Sequence, residues 1–193
     1  MKKMNYVYLL LIPAGCILVS LIWLCVRIYV VSGAFSIFMP SPPKPQITFS
    51  EFNYKVDYVI GEQKYSKDGV ITCNYEGVES LGTAGKYRKW SLVTSDNKDR
   101  IVLWDVSDME LNTPNGDKIT EFYLDVGYGN YYMNDDSDRY NHGVIDGYIS
   151  YKYVHPQHNI IVQGKIKNDE AAEKYGIYIL SYEIDPPISN SFG

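Results

Sequence analysis

Cysteine is scarce in this chain, and its scarcity excludes one common way of stabilising a small domain. Three cysteines occur among the 193 residues, and only Cys73 follows the apolar N-terminal segment. A single cysteine forms no internal disulfide, so the part after residue 45 depends on a packed core, for which roughly 150 residues suffice. An exported domain without disulfides is more typical of a bacterium than of a eukaryotic secretory protein.

Familiar catalytic and phosphate-binding motifs are also missing. The chain has no Gly-x-Ser-x-Gly motif, and the loop GVESLGTAG lacks the Gly-Lys-Ser/Thr ending of a phosphate-binding loop. His155 and His158 flank a predicted turn but lack a third ligand at a zinc-site spacing. Cys73 lies on the apolar side of its strand, so we expect a core residue. We therefore predict no catalytic residue and no cofactor, and 23 acidic residues leave a hydrolase with paired carboxylates as an alternative.

Positive charge is under-represented after Pro45. Residues 46–193 carry 14 basic and 23 acidic side chains, a formal net charge of −9. Nucleic acids and anionic lipid surfaces attract positive charge, so this balance argues against either as a general partner of the domain. It is compatible with cationic partners, with metal ions, or with solubility alone.

What the chain does have is a long apolar run near its N-terminus. Residues 6–26 contain no charged side chain, and roughly 20 such residues cross a bilayer as a helix. We predict a single transmembrane helix at 6–31, with the lipid bilayer as its partner. Lys2 and Lys3 precede it, which favours a cytoplasmic location for residues 1–5 and an extracytoplasmic location for the rest.

Three alternatives to an uncleaved, outward-oriented anchor remain open for this segment. The Ala-Gly-Cys at 14–16 matches the end of a lipoprotein motif, but ten apolar or small residues follow it. The Ser-Gly-Ala at 32–34 suits a signal peptidase, although the apolar run exceeds the about 7–15 residues of a cleaved signal. The reverse topology is a further alternative, because Arg27 and Lys44 follow the run. An uncleaved anchor fits the pattern best.

A proline-rich segment separates the apolar run from the remainder. Residues 32–46 are a predicted spacer, because four prolines within 40–45 favour extended polyproline geometry. After it the composition changes to alternating apolar and polar residues, with 16 of the 19 tyrosines. We assign residues 47–193 to one extracytoplasmic domain.

Alternation with a period of two residues predicts a mainly β domain. The predicted strands are 52–60, 71–75, 87–93, 100–106, 122–128, 147–154, 159–167 and 176–184. Two pairs are predicted hairpins, 87–93 with 100–106 and 147–154 with 159–167. One short helix is expected at 169–175, capped by Asn168 and ended by Gly176. This pattern favours an antiparallel sandwich or open barrel with one short helix, or else a partly open antiparallel sheet with the helix packed on it.

The segment MNDDSDRYNHG, 133–143, is the densest acidic stretch. Its alternating Asn and Asp residues resemble the start of a calcium loop, but Arg139 stands where an EF-hand needs glycine. A different calcium site remains a hypothesis, with Asp135, Asp136 and Asp138 supplying oxygens and Asp146 as a further candidate. A solvated turn explains the same composition.

The segment GKYRKW, 85–90, interleaves basic and aromatic residues. Lys86, Arg88 and Trp90 share one face of a strand, so they form a candidate binding set for an anionic polymer, a phosphate or a sugar. The alternative is an edge strand whose charges block pairing with other chains. Tyr123, Tyr131 and Tyr132 form a second candidate, an aromatic platform for sugars.

Three stretches carry a resemblance. GTAGKYRKW, SEFNYKVDYVIG and SYEIDPPISNSF resemble segments of a group of small membrane-anchored or exported proteins of Gram-positive bacteria. The resemblance covers most of residues 47–192. It implies a location at the cell envelope and no particular activity.

Together these features predict a membrane-tethered, extracytoplasmic binding or interaction module without catalytic residues. The expected partner is a cell-wall polymer or a membrane protein. A hydrolase acting on envelope material through acidic residues is the alternative, and an accessory subunit of a membrane complex is another.

Overall fold

A computed structural model describes residues 6–31, 39–80, 85–137, 141–155 and 160–192, with the side chains of the first range described over 16–28. The helices are α1 Tyr6–Val31, α2 Gly129–Tyr132 and α3 Asn168–Tyr175. The strands are β1 Phe49–Ile60, β2 Gln63–Ser80, β3 Lys86–Thr94, β4 Ile101–Asp105, β5 Lys118–Leu124, β6 Tyr148–His155, β7 Ile160–Lys167 and β8 Ile177–Ile184. The chain divides into one unit of Met1–Pro42 with Val78–Tyr87, and another of Pro43–Gly77 with Arg88–Gly193.

The first unit contains α1, which has the limits expected from the apolar run. Its side chains are exposed over 16–28, and the Arg27 guanidinium carbon lies 4.6 Å from the ring centroid of Trp23. Among the helical side chains that the structure describes, no stretch is long and apolar enough to cross a membrane. The structure therefore does not support the predicted span.

The strands form two antiparallel sheets of four, with the orders β3-β2-β1-β8 and β4-β5-β6-β7. β1 pairs with β2 over its whole length, from Phe49 opposite Asn74 to Ile60 opposite Gln63. β6 pairs with β7, which confirms one predicted hairpin, although its turn lies outside the described residues. The prediction of a mainly β, antiparallel domain is confirmed.

Alternating side chains explain how the sheets build a core. On β1, Phe52, Tyr54 and Val56 are at most 3% exposed, whereas the residues between them face solvent. This is the expected result of a strand with one buried face. Apolar side chains of both sheets belong to a single cluster, which includes Ile71, Cys73, Ile119, Phe122 and Ile149.

The predicted hairpin between 87–93 and 100–106 is wrong. The two segments are β3 and β4, which belong to different sheets. The turn itself forms as expected, with Asn97 at a φ of 58° and its N–H donating to the Thr94 carbonyl at 2.8 Å. Ser, Asp and Asn favour a chain reversal without deciding which strands pair, so here the turn carries the chain from one sheet to the other.

The predicted helix at 169–175 is confirmed as α3, and Gly176 ends it with a φ of 69°. Glycine adopts this left-handed conformation without a steric penalty. The predicted cap at Asn168 is wrong, because Asn168 is the first residue of α3 and the N-cap position is Lys167, which makes no side-chain capping bond. The amide of Asn168 pairs with Ile179 of β8 instead, donating to the carbonyl at 2.8 Å and accepting from the N–H at 2.7 Å. The short α2 has no counterpart in the prediction from sequence.

Candidate functional site

Arg88 and Asp135 form a buried ion pair. Arg88 Nε lies 2.7 Å from Asp135 Oδ2, and Arg88 Nη2 lies 2.7 Å from Oδ1. Trp90 Nε1 also donates to Oδ2 at 2.8 Å, and the Ser137 N–H donates to Oδ1 at 2.9 Å. Each oxygen of this fully buried carboxylate therefore accepts two hydrogen bonds, which is what a buried charge requires.

Local backbone geometry brings the pair together. The alternation of β3 buries Arg88 and Trp90 and leaves Lys89 exposed. On the other side, Asn134 lies two residues after the end of α2 and adopts a φ of 50°, and the next residue, Asp135, is buried. Asparagine tolerates this left-handed region better than most residues.

The electrostatics keep Asp135 charged. Burial disfavours the carboxylate, but the hydrogen bonds from Arg88, Trp90 and Ser137 outweigh that effect and lower the pKa of Asp135. Asp135 is thus a permanent anion at neutral pH and no proton donor, which suits a structural role.

Residues from both predicted sites meet at this pair. Arg88 and Trp90 come from the predicted binding set, and Asp135 comes from the calcium hypothesis. Asp136 is exposed, Asp138 lies outside the described residues, and no group of three metal-ligating side chains occurs within the described part. The calcium site stays a prediction, while the geometry gives Asp135 a different function.

Lys86 is the third member of the predicted binding set. It belongs to the first unit, where its Nζ lies 3.4 Å from Ser41 Oγ. Binding of an anionic polymer, phosphate or sugar by Lys86, Arg88 and Trp90 together also stays a prediction. Arg88 and Trp90 both bond to the buried carboxylate of Asp135.

Arg88 also contacts residues at the start and at the end of the second unit. Its Nη1 donates to the Pro43 carbonyl at 3.2 Å, and its guanidinium carbon lies 3.9 Å from the ring centroid of Phe192. Phe192 in turn pairs with the buried Pro45 in a β-bridge. The last residues of the predicted spacer are therefore attached to the domain.

The remaining candidates from the sequence are mostly core residues. Cys73 is fully buried, which confirms the prediction of a core residue, and this burial raises the pKa of its thiol to about 12. Tyr123 and Tyr132 are 4% and 1% exposed, so they form no exposed platform with Tyr131. His158 lies outside the described residues, and the expectation that His155 and His158 form no zinc site stays a prediction.

A surface depression runs along β8, and we name it the β8 groove. It consists of two adjoining cavities of about 450 and 510 Å³ that share Asp146 and Tyr182. One extends along 179–182 and the other along 182–187. Tyr131 also lines the second cavity and is 37% exposed.

The backbone of β8 faces this groove. β8 is an edge strand, and its Glu183 and Tyr182 lie opposite Lys55 and Val56 of β1. The Asp185 N–H donates to β1, and hydrogen-bonded pairs alternate along antiparallel strands. Glu183 consequently directs its backbone groups toward β1, and Tyr182 directs its N–H and C=O toward the groove.

The charged side chains among the described residues that line the groove are all acidic. Asp146, Glu183 and Asp185 line it, and no basic side chain does so among the described residues. The Tyr182 hydroxyl donates to Asp146 Oδ1. Burial, together with that hydrogen bond and the charge of Asp146, raises the pKa of Tyr182 to about 12. The groove therefore offers negative charge and a neutral phenol to a ligand.

Sequence reasoning missed this groove because it depends on strand order. The segment 176–184 carries a clear strand pattern, but that pattern does not show which strand lies at the edge of a sheet. The chain matches no family model, no curated protein and no solved structure. The resemblance to Gram-positive envelope proteins stays a prediction.

Proposed function

We propose that the chain is a non-catalytic binding module, a β-sandwich held at a membrane by α1, which binds an extended basic polypeptide segment in the β8 groove. The observation that carries this proposal is the outward-facing backbone of β8. An extended peptide that adds a strand to a sheet edge supplies the N–H and C=O groups that such a backbone needs.

Asn168 supports the strand-addition mode. Its side-chain amide already pairs with both backbone groups of Ile179, as the amide of an added strand does. The neighbouring outward position, Tyr182, lies between the two cavities of the groove. The edge of β8 thus already binds a side-chain amide at Ile179. At Tyr182, the next outward-facing residue, its backbone is accessible to a partner.

Charge and shape define the expected segment. The acidic residues Asp146, Glu183 and Asp185 favour a basic partner, and the domain's negative balance attracts one from a distance. Leu180 and Tyr131 are 47% and 37% exposed and offer apolar contacts. A segment that alternates basic and apolar residues matches both requirements.

The membrane location rests on the sequence. Residues 6–26 are uncharged, and the 26 residues of α1 extend about 39 Å at the helical rise. The Arg27–Trp23 contact suits a membrane interface, where arginine side chains extend toward water and tryptophan is enriched. Lys2 and Lys3 place the N-terminus inside, and the domain with its partner outside.

Binding is tested with the full chain in lipid nanodiscs and a synthetic peptide of alternating lysine and valine. We expect calorimetry to show saturable binding, and Glu183→Lys to weaken it at least tenfold, about 1.4 kcal/mol. The matched control is Glu110→Lys, an exposed glutamate outside the groove, which should leave affinity unchanged.

Two further peptides distinguish strand addition from simple charge attraction. A peptide of alternating glutamate and valine should not bind, and N-methylation of alternate peptide bonds in the lysine peptide should abolish binding. Equal affinity of the N-methylated peptide would exclude strand addition, and equal affinity of the glutamate peptide would exclude the charge argument.

Location is tested by treating intact cells that express the full chain with protease. Loss of residues 46–193, with an uncut and unlipidated N-terminal fragment seen by mass spectrometry, is the expected result. Protection of the domain in intact cells but not in lysed cells would overturn the outward orientation.

A further inference from the structure

β7 is an edge strand of the second sheet, whose order is β4-β5-β6-β7. It pairs with β6 along its whole length, from Ile160 opposite His155 to Lys167 opposite Tyr148. The other side of an edge strand presents N–H and C=O groups that no strand of its own sheet pairs. β7 therefore supplies the kind of backbone edge with which an open strand such as β8 pairs.

The register identifies the residues of β7 whose backbone faces outward. The Asn168 N–H donates to the Gly147 carbonyl at 2.8 Å, which continues the β6–β7 ladder by one position. Hydrogen-bonded pairs alternate along antiparallel strands, and Asn168 directs its N–H toward the β6 side. Counting back from Asn168, the residues that direct their backbone groups away from β6 are Ile161, Gln163 and Lys165.

The side chains along this edge are accessible to a partner. Ile160 and Ile161 are 56% and 65% exposed, although isoleucine is among the residues most often buried. Gln163, Lys165 and Lys167 are exposed as well. A partner that covers the β7 edge removes apolar surface of the two isoleucines from water, which favours association.

β7 also has the composition that the β8 groove requires. Its sequence, IIVQGKIK, contains two lysines and no acidic residue. From Gly164 to Lys167 the lysines alternate with glycine and isoleucine. The charged side chains that line the β8 groove are acidic, so the strand and the groove are electrostatically complementary.

One of the two lysines already has a partner within the chain. Lys165 Nζ lies 3.0 Å from Asp125 Oδ2, and the two side chains are 42% and 33% exposed. Ion pairs with this degree of exposure contribute little to stability. Exchanging Asp125 for an acidic residue of the β8 groove therefore loses little.

We propose that the partner in the β8 groove is a second copy of this chain, whose β7 edge adds to β8 as a further strand, a conclusion that rests on the proposed function of the groove. Within one copy, β7 and β8 belong to different sheets and do not pair, so the contact joins two copies. It uses two different surfaces, and each pair of copies still offers one β7 and one β8. Such a contact produces head-to-tail chains or closed rings.

The test is sedimentation velocity of the full chain in detergent micelles over a range of protein concentrations. We expect the native chain to form dimers and larger species. Lys167→Glu in β7 and Glu183→Lys in the β8 groove should each weaken association at least tenfold. The matched controls are Lys64→Glu and Glu110→Lys, exposed positions outside β7 and the groove, which should associate like the native chain.

A mixture of the two variants tests the head-to-tail arrangement. Lys167→Glu keeps an intact β8 groove and Glu183→Lys keeps an intact β7, so the mixture should form one-to-one pairs and nothing larger. Absence of these pairs would overturn the proposal. Association that survives in each variant alone would also overturn it, because the copies would then use another surface.

Peptides separate the failure of self-assembly from the failure of the proposed function. In calorimetry, the Lys167→Glu chain should bind the synthetic peptide IIVQGKIK, and it should not bind the same peptide with glutamate at both lysine positions. Binding of the alternating lysine–valine peptide without binding of IIVQGKIK would overturn self-assembly and leave the proposed function intact. Binding of neither peptide would overturn both.

Discussion

Asp135 holds Arg88 through both of its carboxylate oxygens, although 47 positions of sequence separate the two residues. Both side chains are almost completely buried, with exposures of 0% and 8%. Removing one member of such a pair leaves an uncompensated charge in the interior, whereas the intact pair is neutral overall. The pair is therefore a point at which single substitutions have large effects.

We expect Asp135→Asn to destabilise the domain by about 3–5 kcal/mol, the range for breaking a buried ion pair. The amide replaces one acceptor oxygen by a donor that faces Arg88. Urea denaturation of the full chain, followed by tryptophan fluorescence, measures the change. Asp136→Asn is the matched control on an exposed neighbour, and an equal loss in both variants would contradict the assigned role.

The same pair predicts a pH dependence. The folded pKa of Asp135 is lowered despite burial, because the hydrogen bonds from Arg88, Trp90 and Ser137 dominate. Its stabilisation is fully present above the unfolded pKa of about 3.9 and is lost as pH falls through the folded value. The difference in unfolding free energy between the native chain and Asp135→Asn should be constant from pH 5 to 7 and shrink below about pH 4. A difference that grows on acidification would contradict the sign.

A comparison of Gly127 with Gly116 distinguishes two reasons why a position requires glycine, a positive φ and a lack of space for a Cβ. Both have positive φ, 82° and 88°, so alanine strains the backbone by about 1–2 kcal/mol at either position. A Cβ at Gly127 would also lie 2.0 Å from the His142 carbonyl oxygen, whereas a Cβ at Gly116 meets nothing within 4 Å. Gly127→Ala should therefore lower the melting temperature much more than Gly116→Ala. Similar shifts would show that the close approach to His142 is unimportant.

Cys73 should not react with thiol reagents in the folded domain. It is fully buried, and burial raises its pKa to about 12, so the reactive thiolate is absent at neutral pH. In a Cys16→Ser, Cys25→Ser double variant, a thiol reagent should label Cys73 only after denaturant is added. Rapid labelling of the folded double variant would contradict the burial.

The period-two pattern predicted most of the strands because burial on one face is a local property. Phe52, Tyr54 and Val56 illustrate this, since each alternates with a polar neighbour and each is buried. Arg88 also lies on a buried strand face, but the pattern of neighbouring residues predicts that a charged side chain is exposed to solvent. Its burial depends on Asp135, and no local pattern links the two.

The order of the strands in the two sheets could not be predicted from the sequence either. The turn at 95–97 has the same composition whether β3 and β4 pair or separate into two sheets, so the predicted hairpin failed. The edge position of β8 depends on how β1, β2 and β3 assemble, and the β8 groove depends on that edge.

The attachment of residues 43–46 beside 191–192 has a mechanical consequence. A ligand that pulls on β8 loads its ladder with β1, and in parallel it loads residues 185–192, which reach the start of the domain through the Pro45–Phe192 bridge and the Gln46–Ser191 hydrogen bond. The Arg88–Pro43 bond reinforces this short path. Tension between a partner on β8 and residues 43–46 would therefore act along the β1–β8 ladder and the contacts between 43–46 and 191–192, which belong to the same end of the load path.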